Sequence, residues 1–197
     1  MNEDIKIVDD LLPKGYADQI QTDITRIGFP WVYVDDVTYV DGDKEAGNPG
    51  LTHVAYDITG NIYSEYLPFF KPVIYHIEEA YGQSIGELLR IRVGLINPVI
   101  GGTNLINTPH VDFTVPHFTA CYYVEDSDGD TVIYDQWLDD TTTSSNMPDH
   151  VKNTEFTIAS RGTPKKNRVV IFNGHRYHSS SHPVKHKKRL VITINFR

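Results

Sequence analysis

His110-Val111-Asp112 sets an imidazole and a carboxylate two residues apart, inside a run, TPHVDFTVPHFTACYY, that turns apolar and aromatic. In an extended chain residues i and i+2 point to one side, so His110 and Asp112 can reach a common point while Val111 faces away. A neutral imidazole and a carboxylate are both ligands for a divalent metal. Two donors rarely hold an ion, and H-x-D spacing alone is weak. Further along, RVVIFNGHRYHSSSHPVKHKKRLVITINFR supplies His175, His178 and His182, followed by a basic residue, Arg189. Two histidines and one carboxylate on one face of an ion leave open positions for other molecules, the arrangement used at non-haem Fe(II) centres.

Positioning such groups requires strands, and the second half of the chain has their period. The runs Leu88 to Ile96, Phe118 to Val124, Thr131 to Asp135, Thr154 to Ala159, Arg168 to Phe172 and Arg189 to Phe196 read as strands. Turn signals such as Ser127-Asp128-Gly129 and Asn173-Gly174 separate them. In the last run Leu190, Ile192, Ile194 and Phe196 share a greasy face, and Arg189, Val191, Thr193 and Asn195 share a mixed one. The greasy face should pack on helices and the mixed face should line the interior. Ahead of these strands, Ile5 to Val8 reads as a short strand. Pro13 then opens a helix with Tyr16, Ile20, Ile24 and Ile27 at helical spacing. Leu67, Phe70, Ile74, Ile77 and Tyr81 mark a second helix, with Pro68 and Pro72 implying a late start or a kink and Gly82 a stop. The expected fold class is mainly β with N-terminal helices: a double-sheet jelly roll, residues 88–197, on a mostly helical support, residues 1–87, in one domain of 197 residues. The polar stretch 136–151 is too long for an ordinary connection and is either a lid over a site or a mobile surface loop, and the polar, Gly-rich loop 36–48 is a candidate to fold over the site.

Composition narrows the function classes. A hydrophobic content of 40% supports a substantial core. The single cysteine, Cys121, excludes an internal disulfide scaffold and fits a reducing cytoplasm. No stretch approaches a membrane span and no leader is evident at the first residues, so a cytoplasmic setting is expected. A net charge of -8 makes nucleic acid an unfavourable partner, and the basic strip from Lys185 to Arg189 reads as a solvated turn.

His110, Asp112, a distal histidine and a basic residue about ten positions beyond it, in that order, resemble the Fe(II)/2-oxoglutarate-dependent dioxygenases, particularly their prolyl-hydroxylase-like branch. The likeness covers Leu88 to the C-terminus. His175, His178 and His182 precede Arg189 by 14, 11 and 7 residues, and only the separation of 11 is close to what the family uses. The resemblance therefore selects His110, Asp112 and His178 as metal ligands, and leaves His175, His182, His117 and His53 as loop or rim histidines. It further implies that Arg189 pairs with the distal carboxylate of 2-oxoglutarate, a natural partner for a buried guanidinium. Tyr123, Thr193 and, in a DGDTVIYD run similar to a family motif, Thr131 are implied as additional cosubstrate contacts.

The cofactors implied are Fe(II), 2-oxoglutarate as cosubstrate and O2, with ascorbate supporting. The implied reaction hydroxylates a substrate while 2-oxoglutarate leaves as succinate and CO2. The carboxylate at Asp112 argues against halogenation, since related halogenases carry a small residue there. Likeness to prolyl hydroxylases suggests a peptidyl, even prolyl, substrate, with a small molecule as the alternative and a nucleobase third. A looser likeness to small oxygenases of tailed bacteriophages implies an infected bacterium as the setting. Two rival classes remain at this level: a binding or phage accessory protein on the same jelly roll with a vestigial metal site, and a zinc hydrolase in which Arg189 would meet no cosubstrate.

Overall fold

The computed structural model describes residues 5–38, 48–59, 62–99, 105–143 and 145–197. In chain order the elements are β1 (Ile5–Val8), α1 (Lys14–Thr25), β2 (Val32–Val34), β3 (Gly50–Asp57), β4 (Ile62–Tyr63), α2 (Leu67–Tyr81) and β5 (Leu88–Ile96). They continue with β6 (Phe118–Tyr123), β7 (Thr131–Trp137), α3 (Met147–Lys152), β8 (Ile158–Gly162), β9 (Arg168–Asn173), β10 (Arg176–Ser180) and β11 (Arg189–Phe196).

Among the described residues these form two antiparallel sheets. The larger runs β1-β9-β6-β11-β5-β3-β2, with β4 paired to β3, and the smaller runs β10-β7-β8. Single bridges from Ile106 to Ser181 and from His110 to His178 lay the segment before β6 along β10. One apolar cluster joins Ile133 of the smaller sheet to Cys121, Tyr123, Val170, Phe172 and Val191 of the larger, so the sheets face each other. On the larger sheet's other side, Leu190, Ile192, Ile194 and Phe196 of β11 pack with Ile20 and Ile24 of α1 and Phe70, Val73 and Ile77 of α2. The division of β11 into a helix-facing and an interior row is the one that its alternation dictates. Pro13 stands at the N-cap of α1 with extended backbone, and Gly82 closes α2 in the left-handed region at φ 84°, its N–H donating to the Glu78 carbonyl.

Several expectations change. Residues 5–87 are not merely helical support: they also supply β1 to β4, and β3 is a full member of the larger sheet beside β5. Its sequence, GLTHVAYD, hides this, because glycine, histidine and aspartate dilute the β-branched pattern. Helix α2 begins at Leu67 without delay; Pro68 sits in the first turn, where no N–H partner is lost, and Pro72 lies inside the helix. Ile27 falls beyond α1 and is fully exposed. The strand expected at 154–159 forms later, at β8, because Phe156 instead joins Val111, Val132, Tyr134 and Tyr177 in a third apolar cluster. That cluster also buries Met147 of α3, so the 136–151 stretch contains a helix docked on the smaller sheet. Of the 36–48 stretch, residues 39–47 lie outside the described residues.

Candidate metal centre and its cavity

Strand β10 and the H-x-D segment laid along it bring His110, Asp112 and His178 together. His178 lies in β10, and the paired main chains of His110 and His178, with N–H to carbonyl distances of 2.9 Å both ways, hold the H-x-D segment against it. One donor atom from each of the three residues lies within 4.8 Å of the other two, and His178 Nε2 is 3.6 Å from Asp112 Oδ2. Both histidines are oriented through their other ring nitrogen: His110 Nδ1 is 3.2 Å from the Thr108 carbonyl and His178 Nδ1 is 3.1 Å from the Arg176 carbonyl. A carbonyl only accepts, so each Nδ1 is the donor and each Nε2 is the ring nitrogen left to face the cluster, the orientation a metal ligand needs.

Asp112 is held on both oxygens. Arg90 of β5 binds Oδ1, and Asn195 Nδ2 of β11 donates to Oδ2 at 2.8 Å. Arg90 and Asn195 are cross-strand partners that also bond each other, Nε to Oδ1 at 3.1 Å, and Asn195 reaches Thr119 Oγ1 at 3.0 Å. Phe113 stacks under the Arg90 guanidinium at 5.0 Å. Burial pushes the Asp112 carboxyl up, but Arg90, the adjacent His178 and the more distant Arg92 outweigh it and hold it well below the usual carboxylate range. Burial, with His178 beside it, pushes His110 down to about 3 despite Asp112, so its imidazole is neutral. Metal ligation requires these protonation states.

Six residues along β11 from Asn195, on the same interior row, stands Arg189, only 4% exposed. Its Nε donates to the Gly129 carbonyl at 2.8 Å and one Nη donates to Thr131 Oγ1 at 2.8 Å. The Tyr123 hydroxyl lies 2.7 Å from Thr131 Oγ1 and 2.9 Å from the Gly162 carbonyl, with the Arg189 guanidinium 5.9 Å from the Tyr123 ring. A Cβ at Gly162 would lie 2.7 Å from the Tyr123 hydroxyl, so the residue there must be glycine for Tyr123 to reach it. Burial raises the Tyr123 phenol and pushes the Cys121 thiol up to about 11, so both are neutral. The triad, Arg189, Thr131 and Thr193 all line one cavity of about 240 Å³. Tyr123 packs behind its wall with Ile133, Phe172 and Val191.

His110, Asp112 and His178 thus form one group and Arg189, Thr131 and Tyr123 a second, and both border one cavity. Thr193 lines it too and bonds to neither group among the described residues. The remaining histidines are more interior than loop or rim positions: His53 bonds the Pro30 carbonyl and Ser64, and His182 bonds the Asn97 carbonyl and Asn107. His117 and His175 face each other with ring centroids 5.9 Å apart. Arg90, Asn195 and Arg92 were not anticipated. The signal was present in LLRIRVGLI, where two arginines alternate with Leu89, Ile91 and Val93 and so must share the face opposite the helices. Arg92 also lines the cavity; burial and Arg90 push it down to about 10, which leaves it charged at neutral pH. No described residue of 136–151 lines this cavity, whereas Val34, Asp36, Val37 and Thr38 do.

No family model and no curated protein matches the chain. Solved structures do. An oxidoreductase of the 2OG-Fe(II) oxygenase family from Burkholderia pseudomallei is similar at a TM-score of 0.64 and 10% identity, over 99% of this chain and 85% of that one. The non-heme alpha-ketoglutarate-dependent epimerase SnoN from nogalamycin biosynthesis gives 0.60 and 14%, over 98% and 77%. A Pseudomonas putida prolyl-4-hydroxylase gives 0.55 and 12%, over 100% and 93%. The chain has the double-stranded β-helix fold of the 2-oxoglutarate- and Fe(II)-dependent oxygenases.

Proposed function

We propose that this chain is an Fe(II)- and 2-oxoglutarate-dependent hydroxylase of a peptidyl or small-molecule substrate. The observation that carries the reading is the sharing of one cavity by three convergent donors, both imidazoles oriented through Nδ1, and a buried arginine six residues along β11 from the asparagine that supports Asp112. His110, Asp112 and His178 would hold the iron, and separations of a few ångströms between their donor atoms suit ligands each about 2 Å from one ion. Iron and 2-oxoglutarate, when bound, supply activation of dioxygen coupled to decarboxylation of the cosubstrate to succinate and CO2, with one oxygen atom passing to the substrate.

The chain's part is orientation and exclusion of water. Arg90 and Asn195 fix both Asp112 oxygens, so the carboxylate cannot swing away from the histidines. Two of the five Arg189 N–H groups are spent on Gly129 and Thr131, which locks the guanidinium and leaves the rest for a carboxylate. Thr131 and Tyr123 add hydroxyls behind it, and Thr193 offers another beside the path between metal and arginine. Val191, Cys121 and Ile133 dry the space between, which strengthens the ion pair that Arg189 would make.

The test is succinate formation by the purified protein with Fe(II), ascorbate and 2-oxoglutarate, with and without Arg189→Ala, beside anaerobic 2-oxoglutarate binding. The wild type should produce succinate and the variant should bind 2-oxoglutarate at least tenfold more weakly. Equal binding by both removes Arg189 from the reading, and no binding by the wild type removes the reading itself. Mass spectrometry of peptide and metabolite pools for an added oxygen that requires 2-oxoglutarate then separates the two substrate classes.

A further inference from the structure

Arg92 stands one same-face position along β5 from Arg90, roughly 7 Å away by strand geometry. Arg90 is tied to Asp112 and Arg189 to Gly129 and Thr131, but Arg92 makes no hydrogen bond, ion pair or ring contact among the described residues. Its cross-strand partner on β11 is Thr193, whose hydroxyl also bonds nothing among the described residues, and its partner on β3 is Val54. Arg92, Thr193 and Val54 all line the cavity that holds the metal-side cluster. Half-buried Arg92 feels the charges of Arg90 and Asp112 across the cavity but spends none of its own N–H groups among the described residues, so those donors call for an acceptor in the cavity. The cosubstrate does not fill that need in the proposed reading, since Arg189 already takes its distal carboxylate.

We infer that Arg92, with Thr193, receives a carboxylate carried by the primary substrate, which makes the substrate an acid such as an N-acylated amino acid or a chain-terminal residue rather than an internal peptide segment. The inference rests on the oxygenase reading and narrows its substrate class. One planar fork and one hydroxyl match a monoanionic carboxylate; a phosphate dianion would call for more donors than this wall offers. Placed there, the substrate's acid group lies one strand repeat from the Arg90–Asp112 pair, so the carbons close to that acid are presented to the metal side of the cavity.

Protein loaded with Ni(II) and 2-oxoglutarate, which cannot turn over, is titrated with N-acetyl-L-proline, N-acetylglycine and benzoate and with the carboxamide of each. At least one acid should bind wild-type protein tenfold or more tightly than its amide. Arg92→Gln should erase that preference while its 2-oxoglutarate affinity stays within twofold, and Arg92→Lys should keep part of it. The acid-over-amide comparison in the wild type stands even if Arg92→Gln fails to fold. Equal binding of acids and amides, or binding of none of the acids, overturns the inference and leaves the oxygenase reading intact. So does a loss of 2-oxoglutarate binding confined to Arg92→Gln and Arg92→Lys, which would assign Arg92 to the cosubstrate. If wild-type protein takes up no 2-oxoglutarate, the oxygenase reading falls and this inference falls with it.

Discussion

Asp112 owes its usefulness to two residues that are not themselves proposed metal ligands. Asn195 donates to the same Oδ2 that faces His178, and Arg90 occupies Oδ1. Asn195→Ala would leave the ligand set intact and free the carboxylate to rotate. Metal affinity is expected to fall about 10- to 100-fold, the usual effect of losing such a support, as measured by Ni(II) titration calorimetry. An unchanged affinity would show that Asp112 is held by Arg90 alone. Arg90→Met removes one partner of a pair in which Asp112 is almost fully enclosed, and metal-free protein should lose about 3–5 kcal/mol of stability by urea unfolding. His110, Asp112 and Arg189 were legible from the sequence because type and spacing announce them. Arg92 and Asn195 were not, since their importance lies in which cross-strand neighbour each meets.

At the scale of elements, α2 is fastened by Phe70, Val73 and Ile77, all at 0% exposure, against the outer face of β11 and its neighbours. Phe70→Ala should cost about 3–5 kcal/mol of unfolding free energy by urea titration, through lost transfer energy and an unfilled cavity. Gly82→Ala offers a contrasting case: a Cβ there meets nothing within 4 Å, yet φ is 84°. Only backbone conformation opposes the change, so a loss of about 1 kcal/mol is expected, and a loss as large as that of Phe70→Ala would mean that α2 ends differently. The strands β5 and β11 were readable to the residue because their alternation is clean. Strand β3 was not, because its pattern makes sense only once β5 lies beside it, and neither was β10, whose RYHSS takes its extended form from pairing with β7.

For the whole molecule, acid sensitivity follows from carboxylates that close long-range contacts. Asp128 accepts the backbone N–H groups of Val184, Lys185 and His186 and thereby pins the turn that leads into Arg189. Burial pushes its carboxyl up, but those N–H groups and the His186 ring outweigh it and bring it from the ordinary 3.8 to about 2. A depressed carboxyl stabilises the fold fully above its unfolded value, and that contribution is lost as pH falls from about 4 through about 2. Thermal unfolding midpoints should therefore drop over that window, less steeply in Asp128→Asn, and parallel slopes would remove Asp128 from the account. Binding of Ni(II) and then 2-oxoglutarate should raise the midpoint stepwise, each saturating ligand adding about 2.7 kcal/mol at a hundredfold excess over its Kd. Among the described residues, no helix is long and apolar enough to cross a membrane.

The sequence by itself determined the chemistry on offer: which side chains could bind a divalent ion, which face of the last strand is polar, and that two helices precede the later strands. These follow from residue type and local period, which act over a few positions. The tertiary structure decided which groups meet. Sheet register put Arg90 beside Asn195 and both on Asp112, and left Arg92 opposite Thr193 without a hydrogen bond among the described residues, because pairing between strands dozens of residues apart is set by how the whole core closes and not by any local run.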